Sequence, residues 1–183
     1  MTADAAALST VLADGDLVLE PLAERHRVAL RAACAEDLAI WPIYGLSYDP
    51  DHFDANFEIL AAGGAKLGFA IMHGGVLVGM SAYLAIEPPR GVVEIGNSYI
   101  VPGARGTGIN DRFKRLMLDH AFACGFRRVE FRVDVRNTRS MAAVAKIGGV
   151  KEGVLRQERI TWTGHVRDTA LFSVLADEWR KDG

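Results

Sequence analysis

Val101-Pro102-Gly103-Ala104-Arg105-Gly106-Thr107-Gly108-Ile109-Asn110 is the stretch on which the reading of this chain turns. It ends a run rich in β-branched and aromatic residues, Val92 to Val101, that reads as a strand. From Gly106 to Cys124, Ile109, Phe113, Leu116, Met117 and Ala121 fall on one helical stripe, with Asp111, Arg112, Lys114, Arg115 and Asp119 opposite. A strand, a glycine-rich turn and a helix start, in that order, offer an anion unpaired backbone N–H groups and a partial positive charge. Glycines at 103, 106 and 108 let the backbone approach such a ligand closely.

Two well-known phosphate loops do not fit. A P-loop needs Lys-Ser or Lys-Thr after its last glycine to reach terminal phosphates and magnesium, where this chain has Ile109-Asn110. A dinucleotide fingerprint needs a third glycine or alanine where Asp111 stands, and it follows the first strand of a fold, not the third or fourth.

On the N-terminal side, strands are predicted at about Leu67 to His73, Val76 to Ile86 and Val92 to Val101, an antiparallel meander. Glu87-Pro88-Pro89-Arg90-Gly91 cannot continue a ladder and joins the last two. Leu67 to Ile86 is nearly uncharged and long enough to cross a bilayer as one helix, but Gly74-Gly75 at its centre favours a hairpin of buried strands. Before it come a first strand at Leu17 to Leu22, a helix at Glu24 to Glu36 with Val28, Leu30, Ala32 and Ala33 as its apolar residues, an aromatic loop at Trp41 to Gly45, and a helix between Asp51 and Ala62. Residues 1–16 are expected to be a loosely ordered leader; Asp4, Asp14 and Asp16 and the lack of a basic start argue against a signal peptide.

Toward the C-terminus, Arg128 to Val133 alternates as a strand, and Asn137 can cap a helix that runs to about Ile147 and ends at Gly148-Gly149. Gly153 to Trp162 and His165 to Trp179 read as a closing hairpin around Thr163-Gly164, followed by a short tail. The order implies one α/β (α+β) domain over residues 17–183, built on a mixed sheet with a parallel strand-helix-strand crossover.

Composition narrows the partners. Half the residues are apolar and 24% are charged, ordinary globular values. A net charge of −2, with both signs interspersed, supplies no basic field for nucleic acid. Cys34 and Cys124 form no C-x-x-C pair and the five histidines are scattered, so no metal is expected; unpaired cysteines suit a reducing, cytoplasmic setting, and no membrane association is expected. The apolar closing hairpin could pair across the axis of a homodimer.

The turn resembles that of the GNAT acetyltransferases, whose Q/R-x-x-G-x-G/A motif binds the pyrophosphate of coenzyme A. Arg105-Gly106-Thr107-Gly108 supplies its latter half, while Gly103 stands where the family has Gln or Arg. Glu94-Ile95-Gly96, Asn137-Thr138-Arg139-Ser140, Lys146-Ile147-Gly148-Gly149 and Asp177-Glu178-Trp179 extend the resemblance, which looks most like the RimJ/RimL branch and covers Leu17 to Trp179. It implies a mostly antiparallel GNAT sheet, flanked by helices, that splays in a V between its fourth and fifth strands. It also implies transfer of an acetyl group from acetyl-CoA to a primary amine, on a peptide N-terminus or a small molecule, by direct attack in a ternary complex. A non-catalytic acyl-CoA-binding module of the same fold is the alternative.

Glu94 stands in an otherwise uncharged strand, where desolvation would raise its pKa and make it a useful base; pairing with Arg90 is the other reading. By resemblance, Arg105, Gly106, Thr107, Gly108, Ile109 and Asn110 hold the pyrophosphate, and Ile100 and Val101 offer backbone groups to the acyl arm where the strands splay. Asn137 would hold the pantetheine and Ser140 would act as acid near the sulfur, although capping alone explains the Asn137 spacing. Trp41, Tyr44 and Phe53 could line the acceptor pocket or belong to the core. Asp168 could reach the acceptor or serve as a cross-strand partner.

Overall fold

Three residue pairs are all that join the two halves of the sheet. In a computed structural model describing residues 2–179, eight strands form one sheet: β1 (Leu12–Asp14), β2 (Leu17–Pro21), β3 (Leu67–His73), β4 (Val76–Glu87), β5 (Val92–Ile100), β6 (Arg128–Asp134), β7 (Val150–Ile160) and β8 (Val166–Leu175). Their spatial order is β1-β2-β3-β4-β5-β6-β8-β7. Every pairing is antiparallel except β5 with β6, which is parallel and limited to Val92–Arg128, Val93–Val129 and Glu94–Glu130. Beyond Glu94 the ladder stops, and β5 and β6 part, as the resemblance implied for the fourth and fifth predicted strands.

A bulge in β5 assists the parting. Met80 pairs with Tyr99 and Ala82 with Gly96, so Asn97 and Ser98 together oppose Ser81. Asn97 takes a φ of 52°, and its side-chain amide donates to the Tyr48 hydroxyl at 2.8 Å, which holds the kink against the core.

Helices flank the sheet: α1 (Arg27–Ala35), α2 (Phe53–Ala61), α3 (Ile109–Ala123), α4 (Thr138–Lys146) and the short α5 (Ala176–Trp179). Tyrosines tie two of them down. Tyr83 of β4 donates to the Met117 carbonyl at 2.6 Å, and Tyr99 of β5 donates to the Ala33 carbonyl at 2.8 Å. Each hydroxyl satisfies itself where water is excluded, so the rings are buried without an unpaired group.

The Leu67 to Ile86 segment is the hairpin β3–β4, turning through Gly74 and Gly75 with φ of 57° and 80°. No helix among the described residues is long and apolar enough to cross a membrane.

Several expectations change. Residues 2–14 are built in rather than a loose leader: Asp4 N donates to the Cys124 carbonyl, Leu8 is fully buried, and β1 extends the sheet edge. Glu24–His26 forms a 3-10 turn before α1, and α1 buries Leu30, Ala33 and Cys34 while Val28 and Ala32 face out. Lys114, placed on the polar face of α3, is 4% exposed. The segment read as a strand to Trp179 ends at Leu175 and continues as helix. The tail at 180–183 lies outside the described residues.

Candidate active site

The divergence of β5 and β6 opens two clefts that share a wall. The larger, about 600 Å³, is lined by Glu94, Asn97, Arg132, Asp134 and the end of the closing hairpin. The smaller, about 360 Å³, runs along the glycine turn and the start of α3. Tyr44, Ser98, Lys114, Asn137 and Ser140 line both. A bond-forming event between a ligand in one and a ligand in the other would take place beside these five residues.

The turn is a cradle of donors. Gly106 and Gly108 hold φ of 78° and 89°, and Gly108 is the N-cap of α3. In that left-handed region a Cβ costs about 1–2 kcal/mol, which accounts for both glycines. The N–H groups of Gly106, Thr107, Gly108, Ile109 and Asn110 meet no acceptor among the described residues. A Cβ at Gly103, Gly106 or Gly108 would meet nothing within 4 Å, so the space before the cradle is open. A pyrophosphate, bearing negative charge and several acceptors, fits this arrangement.

Side chains around the cradle mostly serve the turn. Arg105 turns inward, its Nε donating to the Ile100 carbonyl at 2.9 Å and its Nη1 paired with Asp37 at 2.7 Å. Its Nη2 is buried without a partner. Thr107 donates to the Ala104 carbonyl at 2.7 Å. Val101 N–H donates to Val78, and its carbonyl accepts from Ala104. Val101, Thr107 and Ile109 do not line either cleft, whereas Ile100, Arg105, Gly106, Gly108 and Asn110 line the smaller one.

Asn137 and Ser140 come together as expected, but partly for the helix. Asn137 Oδ1 accepts from Ser140 N at 3.0 Å and caps α4, and both residues line the wall that the two clefts share.

Glu94 sits at the last position of β5 that pairs with β6, with its side chain 12% exposed. Burial raises its pKa above the ordinary 4.5, against the opposing pull of Arg132, Arg159 and Arg167. The nearest cation is Arg132, Nε to Oε2 3.8 Å; Arg90 pairs with Glu87 instead. A desolvated carboxyl without a close ion pair is poised to exchange a proton nearer neutrality than a surface glutamate.

Of the three aromatics expected at an acceptor pocket, only Tyr44 lines a cleft, donating to the Ser98 carbonyl at 2.7 Å. Trp41 and Phe53 are core: both are fully buried, and Trp41 packs on Tyr44, Tyr48 and Tyr99 at 5.0–5.7 Å while donating to the Cys34 carbonyl. Asp168 is a cross-strand partner, accepting from Gln157 N at 2.7 Å.

Sequence reasoning missed Lys114, Arg132, Asp134, Glu158, Arg159 and Arg167, all of which line the larger cleft. One signal was present. Arg128, Glu130, Arg132 and Asp134 occupy alternate positions of β6, and a charged face on a central strand must look into a cavity or a partner.

A model of the acetyltransferase (GNAT) domain matches residues 16–150. The chain belongs to the GNAT acetyltransferase family. Enzymes of this family use acetyl-CoA, which suits the donor-rich cradle. A protein of Chromobacterium violaceum ATCC 12472 assigned to the GNAT family is 30% identical, with 98% of this chain and 92% of that one covered and a TM-score of 0.89. Two structures of lower identity share the fold. One, from Salmonella typhimurium, modifies the N-terminal serine of 50S ribosomal subunit protein L7/L12; it is 19% identical over 91% of this chain and 99% of that one, TM-score 0.81. The other, Mycobacterium smegmatis RimJ in complex with CoA-disulfide, is 24% identical over 92% and 87%, TM-score 0.77. No protein with a curated description matches the sequence significantly.

Proposed function

We propose that this GNAT chain transfers an acetyl group from acetyl-CoA to a primary amine by direct attack in a ternary complex. The observation that carries the reading is Glu94: a buried, weakly paired carboxyl at the point where β5 and β6 part, with its pKa raised by desolvation, in a cleft that shares a wall with the glycine cradle.

Acetyl-CoA would supply an acyl carbon already activated as a thioester. The N–H groups of residues 106–110 would hold its pyrophosphate, and Asn137 and Ser140 would border its pantetheine arm. Glu94 would take the proton that the acceptor nitrogen sheds as it bonds to carbon, directly or through a water. Ser140 would return a proton to the departing sulfur, so that the transfer ends with an amide, a thiol and a neutral balance of protons. With no activated cysteine in the clefts, no covalent enzyme intermediate is needed.

The acceptor is a small-molecule amine or a peptide N-terminus, and the relative that modifies an N-terminal serine supports including the latter. Exposed Val154, Leu155, Ile160 and Val166 on the closing hairpin keep a homodimer within the proposal. Thiol release over a panel of amines, run beside thermal shift with acetyl-CoA, tests the function. Stabilisation by acetyl-CoA with release that depends on an amine is the expected result; stabilisation without release by any amine would favour the non-catalytic module.

A further inference from the structure

Two guanidinium groups lining the larger cleft bring their Nη1 atoms within 4 Å of one point beside Gly45. A Cβ built on Gly45 would stand 3.6 Å from Arg159 Nη1 and 3.8 Å from Arg167 Nη1. Neither Nη1 donates to any acceptor among the described residues. Gly45 does not adopt the left-handed backbone that would itself call for glycine, and a larger side chain there would extend between the two arginines.

Arg167 is the more telling of the two. Its side chain is 6% exposed, it makes one hydrogen bond, to the Arg132 carbonyl at 2.9 Å, and its nearest carboxylate is Asp134 at 4.0 Å. Its Nε is buried without a partner. Burying an arginine this way is unfavourable unless something completes its shell.

The carboxylates nearby are already engaged. Asp134 accepts three hydrogen bonds from Arg136. Glu158 accepts from Arg159, Arg132 and Thr169. Lys66, Lys114, Arg132, Arg159 and Arg167 line the cleft against Glu94, Asp134 and Glu158, an excess of two cations. The arginines lie near enough to Glu94 to act on its titration, so the unmatched positive charge and the expected proton acceptor belong to one ligand-sized space.

We propose that Gly45, Arg159 and Arg167 form a carboxylate subsite, and that the acceptor is an amine carrying a carboxylate a few bonds from its nitrogen. The carboxylate sits between the two Nη1 groups while the amine faces Glu94. The inference rests on the acetyltransferase reading for the role of Glu94, but the subsite is defined by the arginines alone. A free amino acid and a peptide that begins with an acidic residue both offer this chemistry.

The experiment compares matched pairs. The first is leucine against leucine α-amide and aspartate against asparagine α-amide; the second is short amidated peptides beginning with Asp or Glu against those beginning with Asn or Gln; spermidine stands for amines without a carboxylate. Acetyl transfer is followed as kcat/KM, and thermal shift in the presence of CoA is followed with the N-acetylated form of each compound, which reads binding without turnover. At least one carboxylate member is expected to exceed its neutral counterpart about tenfold or more in kcat/KM and to stabilise the CoA-loaded protein further. Which pair responds tells amino acid from peptide.

In Arg159→Leu, Arg167→Leu and Gly45→Val the ratio within the responding pair should fall toward one. Gly45→Ala, whose Cβ makes only ordinary contacts, fills part of the space while leaving the fold intact. If neutral members and spermidine are acetylated as well as the carboxylates, the subsite is wrong and the acetyltransferase reading stands. If no amine is acetylated but N-acetylated carboxylates still bind in an Arg159-dependent way, the subsite stands and the catalytic reading fails. Carboxylate binding that survives all four substitutions overturns the assignment.

Discussion

Glu94 Oε1 lies 3.0 Å from where a Cβ of residue 96 would stand, and Leu84 Cδ1 lies 2.7 Å from the same point. The pocket for the glutamate carboxyl is therefore cut by the absence of a side chain two residues along its own strand. Gly96→Ala should push the carboxyl and Leu84 apart at a cost of about 1–3 kcal/mol. We expect turnover to fall roughly tenfold, with the response to acetyl-CoA preserved, because a displaced base loses alignment before the fold is lost. Steady-state kinetics beside a melting curve separate the two effects.

Raising a carboxyl pKa has opposite consequences for rate and for stability. The base form of Glu94 is lost as pH falls through its raised pKa, so the acid limb of kcat/KM should lie above 4.5 and should vanish in Glu94→Gln, with the residual rate about 10²-fold lower. The sign for stability is reversed. A carboxyl with a raised folded pKa adds stability below its unfolded pKa, and that contribution is lost as pH rises through the folded one. Glu94→Gln should thus melt no lower than the parent at pH 8; a lower melting temperature there would contradict the burial argument.

Lys114 repeats the theme on the donor side. Burial lowers its pKa to about 8 against the pull of Asp111, and its ammonium lies 5.9 Å from each of the Phe113 and Phe131 rings. A lysine with a depressed folded pKa contributes stability above its unfolded pKa and loses it as pH falls through the folded value. Lys114→Met should accordingly raise the melting temperature at pH 7, and the gain should shrink by pH 10.

Gly108 sets the angle at which α3 meets the turn. Gly108→Val places a branched side chain at a φ of 89°, and the strain of about 1–2 kcal/mol will shift the N–H groups out of convergence. The melting-temperature rise produced by acetyl-CoA should be largely lost, while the unliganded protein changes by only a few degrees.

Trp41 tests the core assignment. Trp41→Ala removes a fully buried indole from contact with Tyr44, Tyr48 and Tyr99 and should cost about 3–5 kcal/mol in denaturant unfolding. A pocket residue would instead change KM for the acceptor and leave stability nearly untouched.

What was legible in the sequence depended on how local its cause is. The α3 stripe and the glycine turn are written in consecutive residues, and the strand-turn-helix order follows from them directly. Lys114 escaped because a helical wheel marks every cation as solvent-facing, whereas α3 turns that side toward the parted strands. Trp41 and Phe53 illustrate a different limit: an aromatic residue suits a pocket and a core equally, and only packing decides. The arginines of the larger cleft stand on β6, β7 and β8, and no spacing along the chain brings positions 132, 159 and 167 together; antiparallel register does.

The three-pair junction between β5 and β6 has a further consequence. A sheet zipped along its full width transmits a change of register from edge to edge, and a sequence altered on one side constrains what the other can become. Here the half that carries β1 to β5 and the half that carries β6 to β8 share one short seam. The cradle begins where β5 ends, and the arginines stand on the far half. Under the proposed reading the pyrophosphate cradle and the carboxylate-binding arginines stand on opposite banks of the seam, while Glu94 and Gly45 reach the acceptor from the near bank and Asn137 and Ser140 reach the donor from the far one; changes at Arg159 and Arg167 can thus alter what the larger cleft holds without touching the cradle.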